Sequence, residues 1–133
     1  MEHKIDSSVK ELTALQRFAV GNDLVCLADF KTSLTDLFKN KVYTAAEMDY
    51  CDSFSDSILR YASTWAAKEA VYKAVKQIDP APLSWKKIEI IRTKASGRPH
   101  VVLQPNLKCY QVSLTISHDG DYAWALALID KIA

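Results

Sequence analysis

The stretch that decides the fold is Gln111-Val112-Ser113-Leu114-Thr115-Ile116-Ser117, then His118-Asp119-Gly120-Asp121, then Tyr122-Ala123-Trp124-Ala125-Leu126-Ala127-Leu128-Ile129. Both long runs have strand character, and a glycine between two aspartates is suited to a tight reversal, so the stretch predicts an antiparallel hairpin. Upstream, residues 87–92 alternate like a half-buried strand, Ser96-Gly97-Arg98-Pro99 reads as a turn, and His100–Leu103 resumes strand character. The C-terminal half is therefore a run of three or four antiparallel strands.

Further toward the N-terminus the period changes. Residues 56–77 read as one long helix stopped by Pro80 and Pro82. Thr44-Ala45-Ala46-Glu47 is a capping box opening a shorter helix, and residues 29–39 read as another. Residues 17–27 are rich in β-formers and predict a first strand, in which Gly21 marks a bend or a close backbone approach. Residues 1–16 are weakly patterned, with Val9, Leu12 and Leu15 at helical spacing, and read as an extension ahead of one domain over residues 17–133. Strand, helices, then antiparallel strands is the order of an α+β domain, with helices packed on a mostly antiparallel sheet.

A chain of 133 residues fits one domain and buries a core without disulfides or a structural metal. With 17 basic and 16 acidic side chains it offers no general electrostatic case for nucleic acid. No run approaches the roughly 18 apolar residues of a membrane span. The start, Met1-Glu2-His3-Lys4-Ile5-Asp6, lacks the apolar core of a secretory signal, so a cytoplasmic protein is expected. Cys26, Cys51 and Cys109 are odd in number and scattered, which suits reduced structural thiols. The charge is uneven: residues 1–66 carry 7 basic and 10 acidic side chains, residues 67–133 carry 10 and 6. That asymmetry is a weak sign that the second half faces an anion.

The chemistry centres on Trp65-Ala66-Ala67-Lys68-Glu69-Ala70-Val71-Tyr72-Lys73-Ala74. On a helix, Trp65, Glu69, Tyr72 and Lys73 project from one side, with Ile58 and Ala62 from earlier turns. A carboxylate among apolar neighbours needs a cation. Lys73, four residues on, is the simplest partner, in a pair worth only a few tenths of a kcal/mol. Asp23 and Glu69 together offer hard oxygen ligands with no Cys or His beside them, which suits magnesium completed by substrate phosphate. Lys73 is then beside that phosphate. Ser117-His118 is no catalytic dyad, because consecutive strand residues face opposite sides.

In chain order, Gly21-Asn22-Asp23-Leu24-Val25, Tyr43-Thr44-Ala45-Ala46-Glu47, Trp65 to Ala74, Gly97-Arg98-Pro99 and Ile116-Ser117-His118-Asp119 with Tyr122-Ala123 form a set. The set resembles the 4'-phosphopantetheinyl transferases, and most of all their short holo-acyl-carrier-protein synthase branch, over about residues 18–129. The resemblance implies that family's fold. It also implies transfer of the phosphopantetheine arm of coenzyme A to a serine of an apo acyl carrier protein or related carrier domain, with magnesium, releasing 3',5'-ADP, in fatty acid or polyketide biosynthesis.

By the same resemblance Asp23 and Glu69 are metal ligands, Glu69 and Lys73 are catalytic, and Lys73 contacts the phosphates. His118 lines the coenzyme A site, and Gly97, Arg98 and Pro99 form the loop at the nucleotide. Lys68 is a further expected coenzyme contact. A homotrimer with coenzyme A bound between subunits is expected too. Val25 stands where larger members carry a second acid. Asp29 stands where the branch has a basic residue that docks the acidic carrier, which leaves docking to Lys31, Lys39 and Lys41. Ser63-Thr64-Trp65 replaces Gly-Arg-Phe and removes a phosphate-facing arginine, for which Lys68 and Lys76 are the available substitutes. Two other readings compete: a coenzyme- or carrier-binding module of the same fold with weakened catalysis, and an unrelated α+β interaction protein whose Glu69 and Lys73 form only a helix salt bridge.

Overall fold

The computed structural model describes residues 18–93 and 97–132, so the extension expected at residues 1–16, and Arg17 and Ser96, lie outside the described residues. The described elements are β1 (Phe18–Cys26), α1 (Leu27–Ser33), α2 (Asp36–Val42), α3 (Ala45–Asp52), α4 (Ser57–Ile78), β2 (Ile88–Ile91), β3 (His100–Leu103), β4 (Tyr110–Asp119) and β5 (Tyr122–Lys131). The architecture is α+β, as the element order predicts. The expected hairpin forms between β4 and β5 with a two-residue loop, Gly120-Asp121, in which Gly120 takes φ 56°.

Two expectations change. The helix expected over residues 29–39 is two helices, because Thr35 turns extended and its Oγ1 accepts the Phe38 amide at 3.1 Å, capping a new start. The C-terminal strands do not form one run either. β1, β5 and β4 make a three-stranded antiparallel sheet in that order, while β2 and β3 form a ladder of their own. A 3-10 turn at Pro105–Leu107, with Leu107 buried, separates β3 from β4.

The 22-residue α4 lies across the three-stranded sheet, and small residues set how closely. Ala66, Ala67, Ala70 and Ala74 of the helix face Ala123, Ala125 and Ala127 of β5, all buried. Gly21 of β1 lets the backbones nearly touch: a Cβ there would collide with the Ala70 carbonyl oxygen and lie 2.8 Å from the Ala74 nitrogen. Neither obstacle is a side chain that could swing away. Gly21→Ala is accordingly expected to cost about 3 kcal/mol, read as a lowered urea midpoint; an unchanged midpoint contradicts the close approach.

Among the described residues no helix covers the opposite face of the sheet. Phe18, Val20, Leu24, Tyr122, Trp124, Leu126 and Leu128 are exposed there, with Leu24 62% and Trp124 47% accessible. An apolar patch of that kind is unusual on a protein that acts alone.

Candidate active site

Asp23 sits on the helix-facing side of β1, between Gly21 and Val25 in the alternation of the strand. Because Gly21 brings α4 close, Lys73 reaches across and its Nζ donates to Asp23 Oδ1 at 2.8 Å and to the Asn22 carbonyl at 3.1 Å. The hydrogen bond it donates to Asp23 holds the Lys73 ammonium above its usual value. Lys73 thus reaches past Glu69 instead of pairing with it. Glu69, one turn earlier and half-buried, has its carboxyl pushed up to about 8, first by burial and then by the Asp23 carboxylate beside it, with Lys73 opposing.

Two acids share one lysine, so both can be ionised at neutral pH only if a further cation answers them. Asp23 is 9% exposed, and its Oδ2 is buried without a hydrogen-bond partner. An unanswered buried acceptor costs about 1–3 kcal/mol. A divalent cation fits this donor set: magnesium takes one or two carboxylates and keeps its other positions for water and phosphate. No cluster of three or more His, Cys, Asp or Glu able to hold a metal occurs among the described residues. Asp23 and Glu69 are the pair that could do so.

A cleft of about 410 Å3 opens beside this pair, lined by Asp23, Glu69, Asp29, Phe30, Phe38 and Trp65 among others. Its apolar wall is fixed by edge-on ring contacts, Phe38 to Trp65 at 5.2 Å and Phe38 to Phe30 at 5.9 Å, and Trp65 is backed by Trp85 at 4.8 Å. Asp29 adds a third carboxylate to the cleft from the first turn of α1.

The folded-state carboxyl of Glu69 keeps its proton to about pH 8, whereas its ordinary value is 4.5. Folding therefore takes up a proton between those values, and stability falls as pH rises through that window. Urea midpoints at pH 5 and pH 8 in the presence of a chelator should show this decline, and Glu69→Gln should flatten it. An equal decline in Glu69→Gln would place the titrating group elsewhere.

The family model for the 4'-phosphopantetheinyl transferase superfamily matches residues 19–127. The chain belongs to that superfamily. A holo-[acyl-carrier-protein] synthase of Chlorobaculum parvum is 40% identical over 116 residues, spanning 85% of this chain and 98% of that protein. One of Aquifex aeolicus is 36% identical over 121 residues, spanning 84% and 98%. Among solved structures, the Chronobacterium ammoniagenes ACPS-CoA complex superposes with a TM-score of 0.74 at 29% identity, covering 87% of this chain and 98% of that one.

Within this phosphopantetheinyl transferase the expected site residues do not all meet. Asp23, Glu69 and Lys73 converge. His118 pairs with Ala123 in register, and Ala123 with Val25, so it lies on the same sheet side as Asp23 but two strands away, roughly 10 Å. Arg98 and Pro99 line a separate groove of about 640 Å3 with Ser113, Thr115, Leu126 and Leu128, away from Asp23. Gly97 takes φ 65°, and its amide donates to the Thr93 carbonyl at 3.2 Å, closing the loop. Lys31 and Lys41 are exposed on α1 and α2, while the Lys39 ammonium lies over the Tyr61 ring at 4.6 Å.

Lys68 requires a correction. Expected at the coenzyme, it is 0% exposed and donates to Glu47 at 2.7 and 3.0 Å and to the Ile88 carbonyl. It joins α4 to α3 and β2 and faces no cleft. Lys76 is likewise occupied, donating to the Ala81 carbonyl at 2.6 Å beyond the end of α4. A residue that the sequence did not single out is Arg92, whose guanidinium donates to Thr64 Oγ1 and, at 3.3 Å, to the Arg60 carbonyl. The helix position that lacks the expected arginine thus has a guanidinium brought to it from the end of β2. Nothing in residues 87–92 distinguishes Arg92 from an ordinary strand-end charge.

Proposed function

We propose that this transferase moves the 4'-phosphopantetheine arm of coenzyme A onto a serine of an apo acyl carrier protein or related carrier domain, with magnesium, and releases 3',5'-ADP. The observation that carries the reading is the convergence of Asp23, Glu69 and Lys73 at a cleft with an aromatic wall. The holo-[acyl-carrier-protein] synthases it resembles and the related structure solved with CoA support it.

In the reaction the carrier serine oxygen forms a bond to the β-phosphorus of coenzyme A, and the bond from that phosphorus to the bridging oxygen of the departing 3',5'-ADP breaks. Asp23 and Glu69 would hold magnesium, which when bound supplies positive charge to the diphosphate. Lys73 is 53% exposed and hangs on a flexible stem, so its ammonium can turn from Asp23 to the leaving oxygen and stabilise the charge that gathers there. The Glu69 carboxyl, ionised once a cation answers it, is assigned the serine proton. Phe38 and Trp65 form an apolar wall of the cleft.

Arg98 and Pro99 line a groove that shares Leu126 and Leu128 with the exposed apolar face, and that face offers the surface through which copies associate. A homotrimer with coenzyme A between subunits unites the Arg98 loop and His118 with the carboxylates of a neighbouring copy. Lys31 and Lys41 remain the exposed cations for a carrier, with Asp29 at the cleft. The three thiols are unpaired, as a reducing cytoplasm would leave them.

The test is product analysis. Release of 3',5'-ADP from coenzyme A should require magnesium and an apo carrier, and should vanish when the carrier's serine is replaced by alanine. Coenzyme binding without release, whatever the carrier, would favour a binding module of the same fold.

A further inference from the structure

Asp29 is a carboxylate at the cleft that the transfer chemistry leaves unused. It and Ser33 line the cleft from α1, four residues apart and so on one face of the helix, whereas Lys31, two residues from Asp29, projects elsewhere and does not line it. Asp29 is exposed, and among the described residues it forms no ion pair: the pairs are Arg60 with Asp56, Lys68 with Glu47 and Lys73 with Asp23. The hydroxyls of Thr32 and Ser33 donate to its backbone carbonyl, not to its carboxylate.

A cation at Asp23 and Glu69 does not answer this charge. No group of three His, Cys, Asp or Glu able to share an ion occurs among the described residues, so Asp29 stands outside that pair. Asp23, buried with Oδ2 unpartnered, marks the floor of the cleft, and the exposed Asp29 marks its rim. The nearby lysines are committed or turned away. Lys73 is held by Asp23, the Lys39 ammonium lies over the Tyr61 ring, and Lys31 and Lys41 line no part of the cleft. A polypeptide that brings a serine to Asp23 and Glu69 therefore passes a fixed negative charge set beside Leu24, Phe38 and Trp65. Docking displaces water there, which strengthens attraction to a cation and repulsion of an anion alike.

We propose that Asp29 selects the carrier by charge, accepting one whose modified serine is flanked by a lysine or arginine. That the partner is a carrier rests on the transferase reading above, while the sign of the charge it must present follows from the rim. This reverses the docking that the family resemblance implies, in which a cation of the transferase meets an acid of the carrier.

The experiment uses two forms of one apo carrier that differ only in the residue before the modified serine, aspartate in one and lysine in the other. Wild type should favour the lysine form in kcat/KM by about tenfold, and the preference should shrink as sodium chloride is added. Asp29→Asn should bring the ratio to about one, and Asp29→Lys should invert it. Asp29→Glu keeps the charge and should keep the preference, which separates selection from any loss of helix stability in the other variants. A preference of wild type for the aspartate form, or a ratio that Asp29→Lys leaves unchanged, overturns the proposal. So does a fall in kcat/KM of equal size for both carriers. Carrier binding followed by fluorescence anisotropy needs no turnover and should show the same ratio and the same inversion. Binding with that ratio but no transfer by wild type would reject the transfer reading and uphold the selection. Transfer to both forms at equal efficiency would uphold the transfer reading and reject the selection, and failure of wild type to bind either form would reject both.

Discussion

Lys68→Met is expected to lower stability by about 3–5 kcal/mol, the largest effect of any single side chain replaced without a steric clash. The Lys68 ammonium answers Glu47, which also accepts the Thr44 amide at 2.9 Å and the Ile90 amide at 2.8 Å. Both side chains are fully buried. One carboxylate thus ties the start of α3, the middle of α4 and the strand β2 together. Removing the lysine leaves the carboxylate buried among two amide donors with no countercharge. The loss should be far smaller in the Lys68→Met, Glu47→Gln double variant, since the uncompensated charge goes with Glu47. Denaturation midpoints for the two single variants and the double variant close the cycle. A loss below 1 kcal/mol for Lys68→Met would mean that this network does not hold the helices to β2.

Glu69→Gln is expected to lower kcat for transfer by about a thousandfold while leaving the protein folded. Glutamine keeps the shape but supplies neither the second anionic ligand nor a proton acceptor, so both roles assigned to Glu69 end together. Stability should move the other way. At pH 8 the wild-type carboxyl is giving up its proton in a buried place beside Asp23, and the neutral amide avoids that cost. A variant that is inactive and yet more stable at alkaline pH identifies a group kept for chemistry at the expense of the fold. Rates within tenfold of wild type would remove Glu69 from the mechanism.

Much of the fold was legible because local chemistry and global order agree. The Gly120-Asp121 reversal, the Thr44 to Glu47 capping box and the proline stop after α4 each specify their element without help from the rest of the chain. The break at Thr35 was not legible, since a threonine inside a helical pattern becomes a cap only once Phe38 turns back to it. The separation of the two ladders depends on packing at the Pro105–Leu107 turn, which strand periodicity does not encode.

In the site, Asp23, Glu69 and Lys73 were found through their motifs. Their mutual geometry came from Gly21, whose lack of a side chain lets Lys73 reach the strand. Lys68 was misplaced because its neighbours in sequence are the site residues. The signal that would have corrected this is the stripe Tyr61, Thr64, Lys68, Val71 and Val75, which recurs at three to four residues and is buried throughout. Glu47 was recognised as a cap residue, but its second partner lies 21 residues on, beyond the reach of any local pattern.

The most direct measurement is the intact mass of an apo carrier protein after incubation with coenzyme A, magnesium and this protein. The expected result is a gain of one phosphopantetheine arm on the carrier serine, present with wild type and absent with Glu69→Gln and with chelator. A carrier of unchanged mass across the apo carriers of the same cell, with coenzyme A still bound by the protein, would contradict the account.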